Sequence, residues 1–268
     1  MIPPNFSIIT PTLNSEKTIG KTVNSVLSQS HKSFEYLIID GSSSDDTLIS
    51  IELNDQRLNI QSEEDHGIFD AMNKGISKSK GAILGIINSD DWYKPNTLEV
   101  VWKLFETTNA DIVLAGVDIY ENEVFIGSRL HSVEELKDHM VSHPAVFVKR
   151  SVYESIGAFN LDYKIASDYD FILRAMKHGY NFSAIDQPLA VYSLGGFSDS
   201  PENRIISIVE TESIRFKNGF ITRRHAVFNF IGYSIKTILG RQGKLKMSIQ
   251  FKETLKNLAI YFEKRNIL

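Results

Sequence analysis

Ala82-Ile83-Leu84-Gly85-Ile86-Ile87-Asn88-Ser89-Asp90-Asp91 is an uninterrupted apolar run that ends abruptly in an amide, a hydroxyl and two carboxylates. A continuous apolar run of this length, with no alternation of polar residues, reads as a strand buried on both faces. Such strands belong to parallel sheets covered by helices on each side. The same grammar recurs upstream. Phe6–Thr10 is a short apolar run stopped by Pro11, and Ile19, Val23, Val26 and Leu27 then recur at helical spacing. Tyr36-Leu37-Ile38-Ile39 ends on Asp40 and the turn-forming Gly41-Ser42-Ser43-Ser44, with Asp45 or Asp46 as candidate caps for a following helix. Leu58–Gln61 makes a third strand and Ile68–Ser79 a helix. Beyond Asp91, Pro95 is expected near the first position of the next helix, and Ile112–Val117 as a fifth strand.

Strands alternating with amphipathic helices predict an α/β fold with a mainly parallel sheet and right-handed crossovers. Ligands of such sheets bind beyond the carboxyl ends of the strands. Three strands here end in polar clusters: Pro11-Thr12-Leu13-Asn14, Asp40-Gly41-Ser42 and Asn88-Ser89-Asp90-Asp91. Past Val117 the pattern loosens into a hairpin over 118–130 around Glu121-Asn122, a strand at 145–149, a helix at 169–177 and a strand at 182–194. From Pro201 onward the chain reads as helices, which predicts a globular domain over 1–200 and a helical extension over 201–268.

Composition narrows the class. The 268 residues are 42% hydrophobic and 23% charged, as expected of an ordinary globular protein, and contain no cysteine. Disulfides and zinc–thiolate sites are therefore out, and a reducing cytoplasm is compatible. The N-terminus has no basic region followed by an apolar stretch, and no window approaches the roughly 20 apolar residues of a membrane span. The net charge of −4 conceals an asymmetry. From Phe220 onward ten Lys/Arg face only Glu253 and Glu263, so the tail carries +8 and the remainder −12. An acidic body disfavours nucleic acid as a partner.

Taken singly, each polar cluster has a bland reading beside a chemical one. Asp90-Asp91 brings together two carboxylates that repel unless a cation intervenes, and hard oxygens suit Mg²⁺ or Mn²⁺; one Asp capping a helix explains the pair as well. Asp40 either accepts from a base or ribose or closes its own turn. Pro11, Thr12 and Asn14 read equally as turn chemistry. In Asp65-His66-Gly67-Ile68-Phe69-Asp70-Ala71-Met72-Asn73-Lys74-Gly75, a helix opens at Gly67, and Asp70, Asn73 and Lys74 share one polar face. That face is either solvated or turned to an anion. Asp168 and Asp170 open a further helix, as caps or as a general base. His143, ahead of Pro144, ranks below the acids.

In combination these motifs strongly resemble the family-2 inverting glycosyltransferases of GT-A fold, over about residues 5 to 195. The order that carries the resemblance is Ile8–Asn14, Leu37–Thr47, Gly67–Gly75, Asn88–Trp92 and Ser167–Asp170. The run Gly67–Gly75 is similar to the subgroup found in polysaccharide gene clusters, including colanic-acid-type synthesis. The resemblance implies a GT-A (Rossmann-like) sheet and a nucleotide-diphosphate sugar donor, a UDP-sugar first among the candidates. Pro11, Thr12, Asn14 and Asp40 would hold base and ribose, with Asp65, Asn73 and Lys74 along the nucleotide pocket. Asp91 with Asp90 would bind Mn²⁺ or Mg²⁺, Asp90 also reaching the ribose. Asp168 falls at the catalytic-base position, with His143 and Asp170 on the acceptor side.

The chain departs from the family pattern in three places: Asn88 replaces the first acid of the metal motif, Ser167 the acid before the base, and Gly41 the second Asp of the strand-end pair. The implied acceptor is a glycan or polyprenyl-linked sugar. The implied location is the cytoplasm, with peripheral contact at the inner face of the plasma membrane through the basic, amphipathic C-terminal helices; an oligomer interface is the competing role for that extension. Two other classes stand beside this reading. A nucleotidyltransferase would carry a Gly-rich basic loop near the first strand, which Pro11–Asn14 is not. A non-catalytic, sugar-nucleotide-binding relative is opposed by the presence of both Asp91 and Asp168.

Overall fold

The computed structural model describes residues 4–51, 55–222 and 224–226. It is a nine-stranded mixed sheet with helices on both faces. In chain order the elements are β1 (Phe6–Thr12), α1 (Ile19–Leu27), β2 (Phe34–Asp40), β3 (Leu58–Ser62), α2 (Ile68–Lys78), β4 (Ile83–Ile86), β5 (Trp92–Tyr93), α3 (Thr97–Thr107) and β6 (Ile112–Glu121). There follow β7 (Val124–Arg129), β8 (Val146–Lys149), α4 (Arg150–Ile156), α5 (Ser167–Lys177), β9 (Phe182–Ser193) and α6 (Pro201–Lys217). Two compact units divide between Gly196 and Phe197, four residues before the boundary read from sequence. In the second unit, Ser200 caps α6 by accepting from the Asn203 backbone N–H. The basic, amphipathic segment from Val227 onward, with its expected membrane or oligomer role, lies outside the described residues.

The strand order is β3-β2-β1-β4-β8-β6-β9-β5, with β7 paired to the far half of β6. β3, β2, β1 and β4 run parallel, as their continuous apolar sequences require. β8 then enters antiparallel to both β4 and β6, while β9 runs parallel to β6. Alternate residues of β1 face opposite layers. Phe6 and Ile8 join Ile19, Val23 and Val26 of α1 and Leu98 and Val101 of α3. Ile9 joins Phe69, Met72 and Ile76 of α2 and Val152, Phe171 and Ile172 of α4 and α5.

Local expectations fail at three points. Pro95 does not occupy the first turn of α3, which begins at Thr97 after a left-handed Asn96 (φ 63°). The Thr97 hydroxyl bonds the carbonyls of Lys94 and Leu189, tying the helix start to β9 and leaving Pro95 in the turn. Asp45 caps no helix: the described residues 45–51 form consecutive turns, and its carboxylate accepts from the Thr47 and Glu16 amides. The fifth strand runs on to Glu121, and the hairpin turn sits on Asn122 and Glu123, both at positive φ (48° and 65°), one residue later than read from sequence.

One glycine sets how closely a helix can approach the sheet. A Cβ at Gly75 would collide with the Ile9 side chain of β1 and lie 3.3 Å from Ile39 of β2. Gly75→Ala is expected to destabilise the protein by about 1–2 kcal/mol, since overpacking outweighs the helix-propensity gain of roughly 1 kcal/mol. Denaturant unfolding measures this, and an unchanged midpoint would mean that α2 can lift off β1 at no cost.

Candidate active site

The carboxyl ends of the parallel strands meet along one edge, and the register brings the expected residues into line there. Thr12 of β1 lies opposite Asp40 of β2, which lies opposite Ser62 of β3. The β1–β4 pairing carries on to Ile87, whose N–H bonds the Ile9 carbonyl, so Asn88–Asp91 emerges beside Pro11–Asn14. Ser15 and Ser89 join the two loops by a hydroxyl pair at 2.8 Å. Because β8 is antiparallel, its beginning reaches this same edge, and the short 3-10 turn His143–Ala145 that opens it packs against β4.

Protein groups already hold part of this edge. Asp40 is fully buried, and its carboxylate accepts from the Ser43 amide (3.0 Å) and the Ser62 hydroxyl (2.6 Å), closing its own turn. Asn14 is left-handed (φ 50°) and accepts from the Ser44 amide (2.9 Å), which locks the β1 loop to the β2 loop. Asp65 accepts from the Gly67 N–H (2.8 Å), and its other oxygen occupies the place a side chain at position 41 would need. Gly41 is thus the residue that fits beside Asp65, which accounts for the glycine where the family pattern has an acid. Lys74 reaches the Glu64 carbonyl and sits 3.5 Å from Asp70, whose carboxylate also accepts from the His66 amide.

The two metal-motif acids differ in kind. Asp91 is fully buried; its Oδ1 accepts from the Ser193 N–H of β9 (2.9 Å), its Oδ2 from the Asn88 side chain (3.2 Å), and its carbonyl from the Thr22 hydroxyl (2.7 Å). Asp90 is partly exposed, and the chain passes so close that a Cβ on Gly196 would lie 2.6 Å from its Oδ2.

Among the described residues, three buried polar atoms on this edge have no hydrogen-bond partner: Thr12 Oγ1, Asn88 Oδ1 and His143 Nε2. Orphaned polar atoms are costly in an interior, so a cluster of them at a strand-end edge points to a ligand that completes them. Burial pushes the His143 imidazole down to about 4, so the ring is neutral at pH 7. Among the described residues no cluster of three or more His, Cys, Asp or Glu forms a metal cage. The donor set present, Asp90, Asp91 and Asn88 Oδ1, is made of hard oxygens and is incomplete. It fits an Mg²⁺ or Mn²⁺ ion that takes its remaining ligands from a bound phosphate and water.

Asp168 stands half-buried in the first turn of α5, after Ala166 at the N-cap, and accepts from the Tyr169 N–H (2.8 Å). Burial, and after it the charge of Asp168, push the Tyr153 hydroxyl well above its ordinary range. Ser167, in place of the usual preceding acid, is fully buried and donates to the Asn160 carbonyl (2.8 Å).

Two of the expected site residues have their side chains held by other parts of the chain. Asp170 is 6% exposed and ion-paired with Arg174 at 2.8 Å, one helical turn on. Both amide atoms of Asn73 are engaged with the Phe159 backbone. Ser193, Gly196, Phe159 and Arg174 were not legible as site residues. Only Gly195-Gly196, a glycine pair at a strand end, carried a signal of close backbone approach.

Comparison with known proteins agrees with this architecture. The chain matches the model of Glycosyl transferase family 2 over residues 7–179. It is 32% identical over 184 residues (66% of this chain, 72% of the relative) to a PGL/p-HBAD biosynthesis glycosyltransferase of Mycobacterium bovis. It is 27% identical over 202 residues (71% and 79%) to TuaG of Bacillus subtilis, a glycosyltransferase assigned to teichuronic acid biosynthesis. Two solved structures share the fold. The 1–349 fragment of S. aureus TarS in complex with UDP-GlcNAc superposes with a TM-score of 0.68 at 19% identity, over 94% of this chain and 78% of that one. The mannosyltransferase PcManGT of Pyrobaculum calidifontis, in complex with GDP-Man and Mn²⁺, gives 0.67 at 16% identity over 100% and 83%. With the ordered motifs, the strand-end edge and a family match that spans well over half of it, the chain belongs to glycosyltransferase family 2.

Proposed function

We propose that this glycosyltransferase moves a sugar from a nucleoside-diphosphate donor to a hydroxyl of a glycan or polyprenyl-linked acceptor, with inversion, during cell-surface polysaccharide synthesis. The observation that carries the donor site is the set of orphaned atoms on the strand-end edge, Thr12 Oγ1, Asn88 Oδ1 and His143 Nε2. The relatives named for PGL/p-HBAD and teichuronic acid biosynthesis support the cell-surface setting. The neighbours bound to UDP-GlcNAc and GDP-Man support a sugar nucleotide as donor.

The nucleoside lies along Pro11–Asn14 and Asp40–Gly41, whose loops are already locked to one another, so little ordering is left for binding to induce. Asp90 is the accessible carboxylate for a divalent cation, with Asp91 and Asn88 behind it. Such a cation, when bound, supplies charge neutralisation at the diphosphate leaving group. Asp168 holds the position for taking the proton from the acceptor hydroxyl as that oxygen attacks the anomeric carbon. The bond to the diphosphate oxygen breaks in the same step, and the anomeric centre inverts with no covalent sugar–enzyme intermediate. The basic tail supports an acceptor held at an anionic membrane surface; among the described residues no helix is long and apolar enough to cross a membrane.

The direct test is thermal stabilisation by UDP, GDP, dTDP and CDP, each with Mn²⁺, with Mg²⁺ and with EDTA. One nucleotide is expected to raise Tm by several degrees with metal and far less with EDTA, since saturation at about 100 Kd adds about 2.7 kcal/mol. No shift with any combination would remove the donor reading and leave a non-catalytic relative as the better account.

A further inference from the structure

Residues 157–166, the ten-residue connection from α4 to the helix that bears Asp168, form no helix or strand of their own. Side chains from α2, α4 and α5 hold it. The Asn73 amide of α2 donates from Nδ2 to the Phe159 carbonyl (2.9 Å) and accepts at Oδ1 from the Phe159 N–H (2.9 Å). That pair of bonds satisfies both backbone groups of one residue, as a neighbouring strand would. The Phe159 ring fixes the same point from the other side, packing edge-on or tilted against Phe69 of α2 (5.4 Å), Tyr153 of α4 (6.0 Å) and Phe171 of α5 (5.9 Å). Arg174 of α5 takes the preceding residues, donating to the carbonyls of Ile156 (2.6 Å), Gly157 (3.2 Å) and Ala158 (2.7 Å), with its charge answered by Asp170. Ser167 then closes the connection onto the Asn160 carbonyl.

We propose that Asn73 is a positioning residue for the reaction: it sets the Asp168 carboxylate through Phe159 and does not bind the nucleotide. This rests on the reading of Asp168 as the base. The chemistry of the site makes such a strap consequential. A base must lie within hydrogen-bond reach of the acceptor hydroxyl, and a displacement of about 1 Å costs on the order of a hundredfold in rate. α2 is itself pressed against β1 and β2, where Gly75 meets Ile9 and Ile39, so Asn73 refers the α5 start to the sheet that carries the donor site.

Asn73→Asp keeps the size and the acceptor but loses the N–H to the Phe159 carbonyl and sets a negative charge against that oxygen. Three readouts then separate the possibilities. Hydrogen exchange over 157–168 should quicken while β1, β2 and β4 stay protected. The Kd for the nucleoside diphosphate that best stabilises the wild type should stay within about twofold. Nucleoside diphosphate release from UDP-, GDP- and dTDP-sugars, offered with a cell-envelope lipid extract, should fall about a hundredfold at pH 8. The introduced carboxyl regains a donor when protonated, so the variant-to-wild-type rate ratio should climb several-fold as pH falls from 8 to 6. Arg174→Gln should reproduce the exchange and rate changes without the pH-dependent recovery. A weakened Kd at an unchanged rate would return Asn73 to the nucleotide pocket and overturn the proposal, as would loss of nucleotide binding in both variants or an unchanged rate. Asp168→Asn, assayed alongside, tells the two failures apart: if it retains full rate, the base reading has failed, and the exchange data still report whether Asn73 holds the connection.

Discussion

Asp168→Asn is expected to lower sugar transfer by about a thousandfold while leaving nucleotide affinity within a factor of about two. The substitution is nearly isosteric, and the amide oxygen can still accept from the Tyr169 N–H that the carboxylate now holds at 2.8 Å. Tyr169, buried and bonded through its hydroxyl to the Lys137 carbonyl, keeps the start of α5 in place. What disappears is the basic oxygen pair. An amide cannot take the proton from an attacking hydroxyl, whereas the donor site proposed above lies at the strand-end edge. Nucleoside diphosphate release under saturating donor, with binding measured separately by calorimetry, checks both halves. Transfer at the wild-type rate would end the assignment of Asp168 as the base.

The second large effect separates the two neighbouring acids. Asp90→Ala should lower Tm less than Asp91→Ala does, because the Asp90 carboxylate is partly exposed where that of Asp91 is fully buried. It should also weaken nucleotide binding in Mn²⁺ by at least about tenfold, with no further loss in EDTA. Asp91→Ala should do more damage to the fold than to the metal alone. Its removal strands the Ser193 N–H and the Asn88 amide in the interior, at a cost of about 1–3 kcal/mol for each group left unsatisfied. The Ser193 bond is also what ties the motif after β4 to the end of β9, so the edge itself should loosen. Thermal unfolding and metal-dependent nucleotide binding, run on both variants, make the comparison. Equal stability losses would refute the division between an accessible Asp90 and a structural Asp91.

Much of the fold was legible because period and punctuation are local properties. The buried runs at Phe6–Thr10, Tyr36–Ile39 and Ile83–Ile87 could only be covered strands, and the polar clusters at their ends named Thr12, Asp40 and Asp90-Asp91 as one edge. Other features were out of reach for an equally physical reason. Val146–Lys149 is as apolar as its neighbours, and nothing in four residues says that it enters the sheet backwards between β4 and β6. Pro95 looked like a helix start because proline tolerates that position, but the bonds from Thr97 to Lys94 and Leu189, the latter 92 residues away, decided otherwise. Asn73 shared a helix face with Asp70 and Lys74 and so was read with them. Its partner, Phe159, lies 86 residues away, and no spacing rule connects the two.

By itself, then, the sequence determined the layered α/β architecture, the edge on which ligands collect, and the kinds of group gathered there, since these follow from hydrophobic period, turn chemistry and the order of motifs. Only the tertiary structure decided which of those groups have hydrogen-bonding capacity already taken up by other parts of the chain. Asp91, Asp170 and Asn73 have their polar atoms engaged by backbone or side-chain groups distant in the chain, while Thr12, Asn88 and His143 keep a buried atom unanswered. The reason is that hydrogen-bond satisfaction is a property of neighbours in space. A residue's type states what it can donate or accept, and the packed chain determines whether that capacity is already filled.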